Sequence, residues 1–155
     1  MINSLKYIIL MLIHLIEVVE YRDMNLNQDD ITQKIIDSID LSDIHIDTDS
    51  GWQPISHIHK TQPYDVYKVI LENGMYLEGA DLHILFTEDM KEIHLKNLIV
   101  GQKIITKDGP IAVKSIDKLS SSVSMFDVTV DSPDHRYWSN DILSHNTICS
   151  SIFIA

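Results

Sequence analysis

From Gly51 onward the chain never runs far without a turn signal. Asn73-Gly74, Lys107-Asp108-Gly109-Pro110, Asp131-Ser132-Pro133-Asp134 and Asn140-Asp141 break the sequence into short apolar pieces. Helices need longer uninterrupted stretches, whereas strands of four to eight residues fit between such breaks. Residues 67–71 and 75–77 flank Asn73-Gly74, which predicts a two-residue hairpin. Residues 83–86 predict a further strand, and 103–106 and 111–114 flank the Gly-Pro turn. Residues 124–130 place Phe126, Val128 and Val130 on one face, and 136–139 and 142–144 form two last short strands. Many short strands between tight turns predict an all-β domain.

The chain before this domain is different in kind. Residues 1–19 are strongly apolar, but Lys6, His14 and Glu17 shorten the run below what a membrane-spanning helix needs. No alanine precedes Ala80, so the run lacks the small-residue site of a signal peptide. The expectation is an apolar helical extension over 1–23, with Met24 a sensible start to the rest of the chain. Residues 20–49 hold nine acids against Arg22 and Lys34, a balance of −7 out of a formal net charge of −11 for the whole chain. Within them Asp29 or Asp30 can cap a helix carrying Ile31, Ile35, Ile36 and Ile39. The expected organisation is therefore 1–23 extension, 24–46 acidic helical segment, 47–146 β-domain and 147–155 tail.

Charge and cysteine usage exclude some functions. Phosphate recognition needs clustered Lys and Arg, so nucleic acid is not an expected partner. The single cysteine, Cys149, rules out a disulfide framework within the chain and a cysteine-based zinc site. That usage fits a reducing cytoplasm. His57-x-His59 offers two metal ligands with no evident third, so neither metal nor cofactor is expected.

The residues suited to chemistry sit near the end. An asparagine side-chain amide can attack its own backbone carbonyl, closing a succinimide and cutting the following peptide bond. The reaction needs the carbonyl polarised and the departing amine protonated, which is general acid–base work. Asn146 is such an asparagine, with His145 beside it, His135 upstream and the hydroxyl nucleophile Thr147 after the bond.

In isolation that tripeptide carries no information. Its context does: Phe126-Asp127-Val128-Thr129-Val130, a turn ending in His135, Tyr137-Trp138, Asn140-Asp141, then Ile142-Leu143-Ser144-His145-Asn146-Thr147. This stretch resembles the C-terminal splicing motifs of inteins, with Asn140-Asp141 in place of the usual Asn-Gly. Upstream, Asp49-Ser50-Gly51-Trp52, Glu72-Asn73-Gly74 and Val100-Gly101-Gln102-Lys103-Ile104 resemble further intein elements. His83 falls at the motif histidine, and Ala80 stands where the family has threonine. The resemblance implies a horseshoe-shaped Hint fold over about residues 46–147. It implies that His145 and Asn146 cut the C-terminal junction and that Thr147 accepts the acyl group. It further implies that Asp127 shuttles protons beside the junction and that His83 protonates the amide leaving in the N-terminal acyl shift. Asp134, next to His135, is the alternative acid to Asp127.

Splicing also requires a Cys or Ser at the start of the intein, leading a Gly-x-Thr-like strand, and no segment of this chain supplies one. The resemblance therefore implies the C-terminal fragment of a split intein, its fold incomplete without a complementary N-terminal fragment. That partner would be Cys- or Ser-led and fused to the N-extein, and the acidic residues 20–49 would suit a basic one. Residues 147–155 resemble the helix after the Gly-Lys-Thr of a phosphate-binding loop, as in a phage terminase ATPase, and would begin the C-extein. The competing readings are a degenerate Hint domain that only cleaves at its C-terminal side, and a membrane-associated acidic β-domain protein.

Overall fold

The computed structural model describes residues 40–61 and 63–146. The extension over 1–23, the helix expected around Ile31, and Thr147 with the tail all lie outside the described residues. Within them run eleven strands: β1 (His45–Thr48), β2 (Gly51–Lys60), β3 (Tyr64–Leu71), β4 (Tyr76–Ala80), β5 (Ile84–Phe86), β6 (Glu92–His94), β7 (Lys103–Thr106), β8 (Gly109–Val123), β9 (Phe126–Val130), β10 (Arg136–Ser139) and β11 (Ile142–His145). A 3-10 turn at Leu95–Asn97 separates β6 from β7. No α-helix occurs among the described residues, in agreement with the all-β expectation. Pairing begins at His45, opposite Pro54.

The strands form a three-stranded sheet, β1-β2-β9, and an eight-stranded sheet ordered β4-β3-β8-β7-β11-β5-β6, with β10 paired to β11. Two apolar cores result. Ile44, Ile46, Ile55, Ile58, Val128, Val130 and Tyr137 form one. Val69, Leu71, Leu85, Leu95, Ile104, Val113 and Ile142 are among those forming the other. The β10–β11 hairpin contributes Tyr137 to the first and Ile142 to the second, so it is clamped between both. Burying each such side chain is worth about 1.5–3 kcal/mol. The segment that ends in Asn146 is therefore held by the body of the domain.

Turn chemistry sets the registers. The loop after β3 is a three-residue hairpin rather than the two-residue one expected. Gly74 N–H donates to Leu71 O at 2.9 Å, Leu71 N–H donates to Met75 O at 2.8 Å, and Gly74 has φ +87°. Asn73 has no positive φ, so the turn is type I followed by a left-handed glycine bulge. At β10–β11 the two-residue loop is found. Asn140 and Asp141 have φ +51° and +62°, the type I′ turn that matches strand twist. Thr48 and Thr106 close the β1–β2 and β7–β8 turns in the same way. Each buried hydroxyl donates to the glycine carbonyl three residues on, at 2.6 and 2.7 Å.

Candidate active site

Asn146 follows β11 and is fully buried. Its backbone N–H donates to the carbonyl of His135 at 2.8 Å. With its amide oriented to satisfy both ends, Nδ2 donates to the same carbonyl at 2.6 Å and Oδ1 accepts from Val130 N–H at 3.0 Å. The opposite orientation would set donor against donor and acceptor against acceptor. The amide is thus fixed by the backbone of two other segments, the end of β9 and the turn before β10.

That turn explains the fit. Pro133 sits within it, and His135 N–H donates to Ser132 O at 3.1 Å. His135 then takes φ +51°, a left-handed conformation uncommon outside glycine. This twist accompanies a carbonyl directed at Asn146. The sequence points to a role for the His135 ring. The ring instead stands 6.2 Å from that of His145, centroid to centroid, while the His135 carbonyl touches the asparagine. His135 Nδ1 and Arg136 Nε are buried with no partner among the described residues.

His145 is paired across β10–β11 with Arg136. Its Nδ1 lies 2.6 Å from the carbonyl oxygen of Asn146, so the nitrogen is an N–H donating to that carbonyl. On the other side of the ring Nε2 lies 3.7 Å from Glu92 Oε1 on β6, and the Phe86 ring lies 6.1 Å away. The arrangement can polarise the carbonyl at which an asparagine amide would attack.

His83, just before β5, is half-buried, and its Nε2 is 3.0 Å from Ser144 Oγ. Burial pushes its pKa down. Asp127 opposes that shift and His145 adds to it. His83 is thus a neutral imidazole at neutral pH. Asp127 Oδ1 accepts from Val128 N–H at 2.8 Å and from the Tyr137 hydroxyl at 3.5 Å. Burial, reinforced by Asp127, pushes the Tyr137 phenol up, so it remains a donor. Asp127 acts electrostatically on His83, while the Asn146 amide takes its two partners from His135 and Val130. Asp134 is exposed in the turn, 3.5 Å from the Arg136 guanidinium and 3.4 Å from Ser50 Oγ. The same guanidinium binds Asp49 at 2.7 Å. Val130 N–H, Glu92 and Ser144 carry no signal in the sequence. A backbone donor has no residue signature, and the Glu92 and Ser144 contacts exist only once β5, β6 and β11 are side by side.

Among the described residues no group of three His, Cys, Asp or Glu side chains could hold a metal ion. No helix among them is long and apolar enough to cross a membrane.

No protein-family model matches the chain, and no curated protein sequence does. Solved structures do. The VidaL intein superposes with a TM-score of 0.65 at 23% identity, covering 78% of this chain and 81% of that one. The gp41-1 intein gives 0.60 at 24%, covering 72% and 85%. The MchDnaB-1 intein gives 0.58 at 19%, covering 72% and 88%. At these identities the likeness is one of architecture: the chain has the fold of the inteins.

Proposed function

We propose that this chain is the C-terminal fragment of a split intein and carries out protein trans-splicing. The observation that carries the reading is the 2.6 Å contact from His145 Nδ1 to the Asn146 carbonyl oxygen, on an asparagine whose amide is immobilised. In the final cleavage Nδ2 of Asn146 attacks its own carbonyl carbon. The C–N bond to Thr147 breaks, one proton leaves Nδ2, and the departing Thr147 nitrogen gains one. His145 stabilises the charge that develops on the oxygen, and the donor is in place before reaction. The earlier steps need an N-terminal fragment bearing a Cys or Ser nucleophile. His83 serves the acyl shift, Thr147 takes over the acyl group, and Asp127 acts through the Tyr137–His83 neighbourhood. An O-to-N shift then leaves a peptide bond joining the exteins.

The reading that a partner fragment is involved is supported by these 155 residues containing no Cys- or Ser-led Gly-x-Thr strand, with Cys149 coming after the junction. The host reading, a phage terminase-like ATPase interrupted in its phosphate-binding loop, rests on residues 147–155. The test is the full chain with a reporter after Ala155, mixed with candidate Cys- or Ser-led N-fragments fused to a second reporter. A ligated product joining the two reporters supports trans-splicing. Release of a fragment starting at Thr147 with no ligation to any fragment supports the cleavage-only alternative. An intact chain in every mixture sinks both.

A further inference from the structure

Ala80, at the position where the resemblance has threonine, offers His83 only a backbone carbonyl, which accepts the His83 N–H at 2.9 Å. The ring finds its polar partner elsewhere. A single bridge, Ser144 to Leu85, joins β11 to β5 and brings Ser144 beside the residue that precedes β5. Ser144 has no exposed surface, and its Oγ stands 3.0 Å from His83 Nε2. The alternative acceptor for that hydroxyl, Ile142 O, is 3.5 Å away.

A neutral imidazole has one donor nitrogen and one acceptor, and the partner of one nitrogen fixes the role of the other. If the hydroxyl donated to Ile142 O, it would receive a proton from Nε2 and Nδ1 would be bare. Only that arrangement satisfies both contacts, since a hydroxyl donating to Nε2 would abandon Ile142 O. We propose that Ser144 is the positioning residue of His83: its hydroxyl accepts from Nε2–H while donating to Ile142 O, holds the ring with Nδ1 bare, and couples the histidine to the strand that carries the Asn146 junction. His83 is then presented with Nδ1 as an acceptor by a residue two positions from Asn146. Any displacement of β11 on cleavage would be felt at the ring. The tautomer rests on these two contacts and on the ring being neutral, whereas the link between the two ends of the reaction rests on the splicing reading.

The test is long-range nitrogen–proton correlation NMR of the full chain at neutral pH, with the His83 signals assigned by their loss in His83→Gln. The wild type should show Nε2 as the protonated nitrogen and Nδ1 as the bare one. Ser144→Ala should shift the tautomer ratio by about fivefold, the worth of one ordinary hydrogen bond. Ser144→Cys keeps the volume with a weak acceptor, and should shift it the same way even if the alanine variant does not fold. A proton on Nδ1 in the wild type, or an unchanged ratio in the cysteine variant, overturns the proposal. Release at the junction is measured on the same wild-type sample. Its absence would count against the splicing reading and leave the hydrogen bond standing, so the two failures are distinguishable.

Discussion

His135 and Asn146 meet through a carbonyl: one oxygen of His135 accepts both the backbone N–H and the side-chain Nδ2–H of Asn146, at 2.8 and 2.6 Å. The asparagine amide is therefore oriented by backbone rather than by an imidazole. His135→Ala keeps that carbonyl, so it should retain slow release at the junction, provided the left-handed turn survives. His135→Pro, which fixes φ near −65°, should abolish release. The check is the release rate of both variants, measured with thermal melting to exclude global unfolding. Equal rates in the two folded variants would mean that the carbonyl is not what matters.

His145 donates to the carbonyl of Asn146, which on the splicing reading is the one at which the chain is cut. Removing a general acid–base group of this kind slows a reaction by roughly 10²- to 10⁴-fold, and His145→Ala should fall in that range. His145→Gln, which retains a side-chain N–H, should fall less. Single-exponential release kinetics at one temperature compare them.

Glu92 should matter less. Its carboxylate is 3.7 Å from His145 Nε2 and about half exposed, and exposed ion pairs are worth roughly 0–1 kcal/mol. Glu92→Gln should therefore slow release by no more than about fivefold at low salt, and by less as salt is raised. A loss of a hundredfold would mean that Glu92 itself takes part in proton transfer.

Burial lowers the pKa of His83 below its ordinary value of 6.5. The unfolded chain therefore binds a proton that the folded chain resists. This site's contribution to stability is fully present above pH 6.5. It is lost progressively as pH falls below 6.5 toward the lowered folded value. His83→Gln should remove this part of the acid sensitivity. Urea midpoints measured between pH 7.5 and about 5 should fall more steeply for the wild type than for the variant.

The repeated threonine turns give a stability test remote from the chemistry. Thr48 and Thr106 are both buried and both donate to a glycine carbonyl. Replacing either by valine keeps the shape and leaves that carbonyl without the donor. Each substitution should cost about 1–3 kcal/mol, read from urea unfolding.

The sequence showed most of the large sheet because its turns carry plain signals, and Asn140-Asp141 adopts the conformation its residue types favour. β2 was obscured for a physical reason. A bulge between Ile55 and His57 puts the buried Ile55 and Ile58 three residues apart, which destroys the period of two, and Pro54 argues against a strand. β1 does alternate, but its acids merge with the charged segment before it. β6 has only three residues. Of the site, His145 and Asn146 stand together in the chain and were legible as a pair. The carbonyl of His135 and the N–H of Val130 were not, since backbone groups become specific only through a turn's dihedral angles.

The most direct measurement is mass spectrometry of the new chain end after incubation of the full protein with a reporter beyond Ala155. A fragment ending in a succinimide at residue 146 and a second beginning at Thr147 are expected, and neither from Asn146→Ala. Cleavage at this bond that persists in Asn146→Ala, or a wild-type chain that stays intact alone and with every Cys- or Ser-led N-fragment, would contradict the splicing reading.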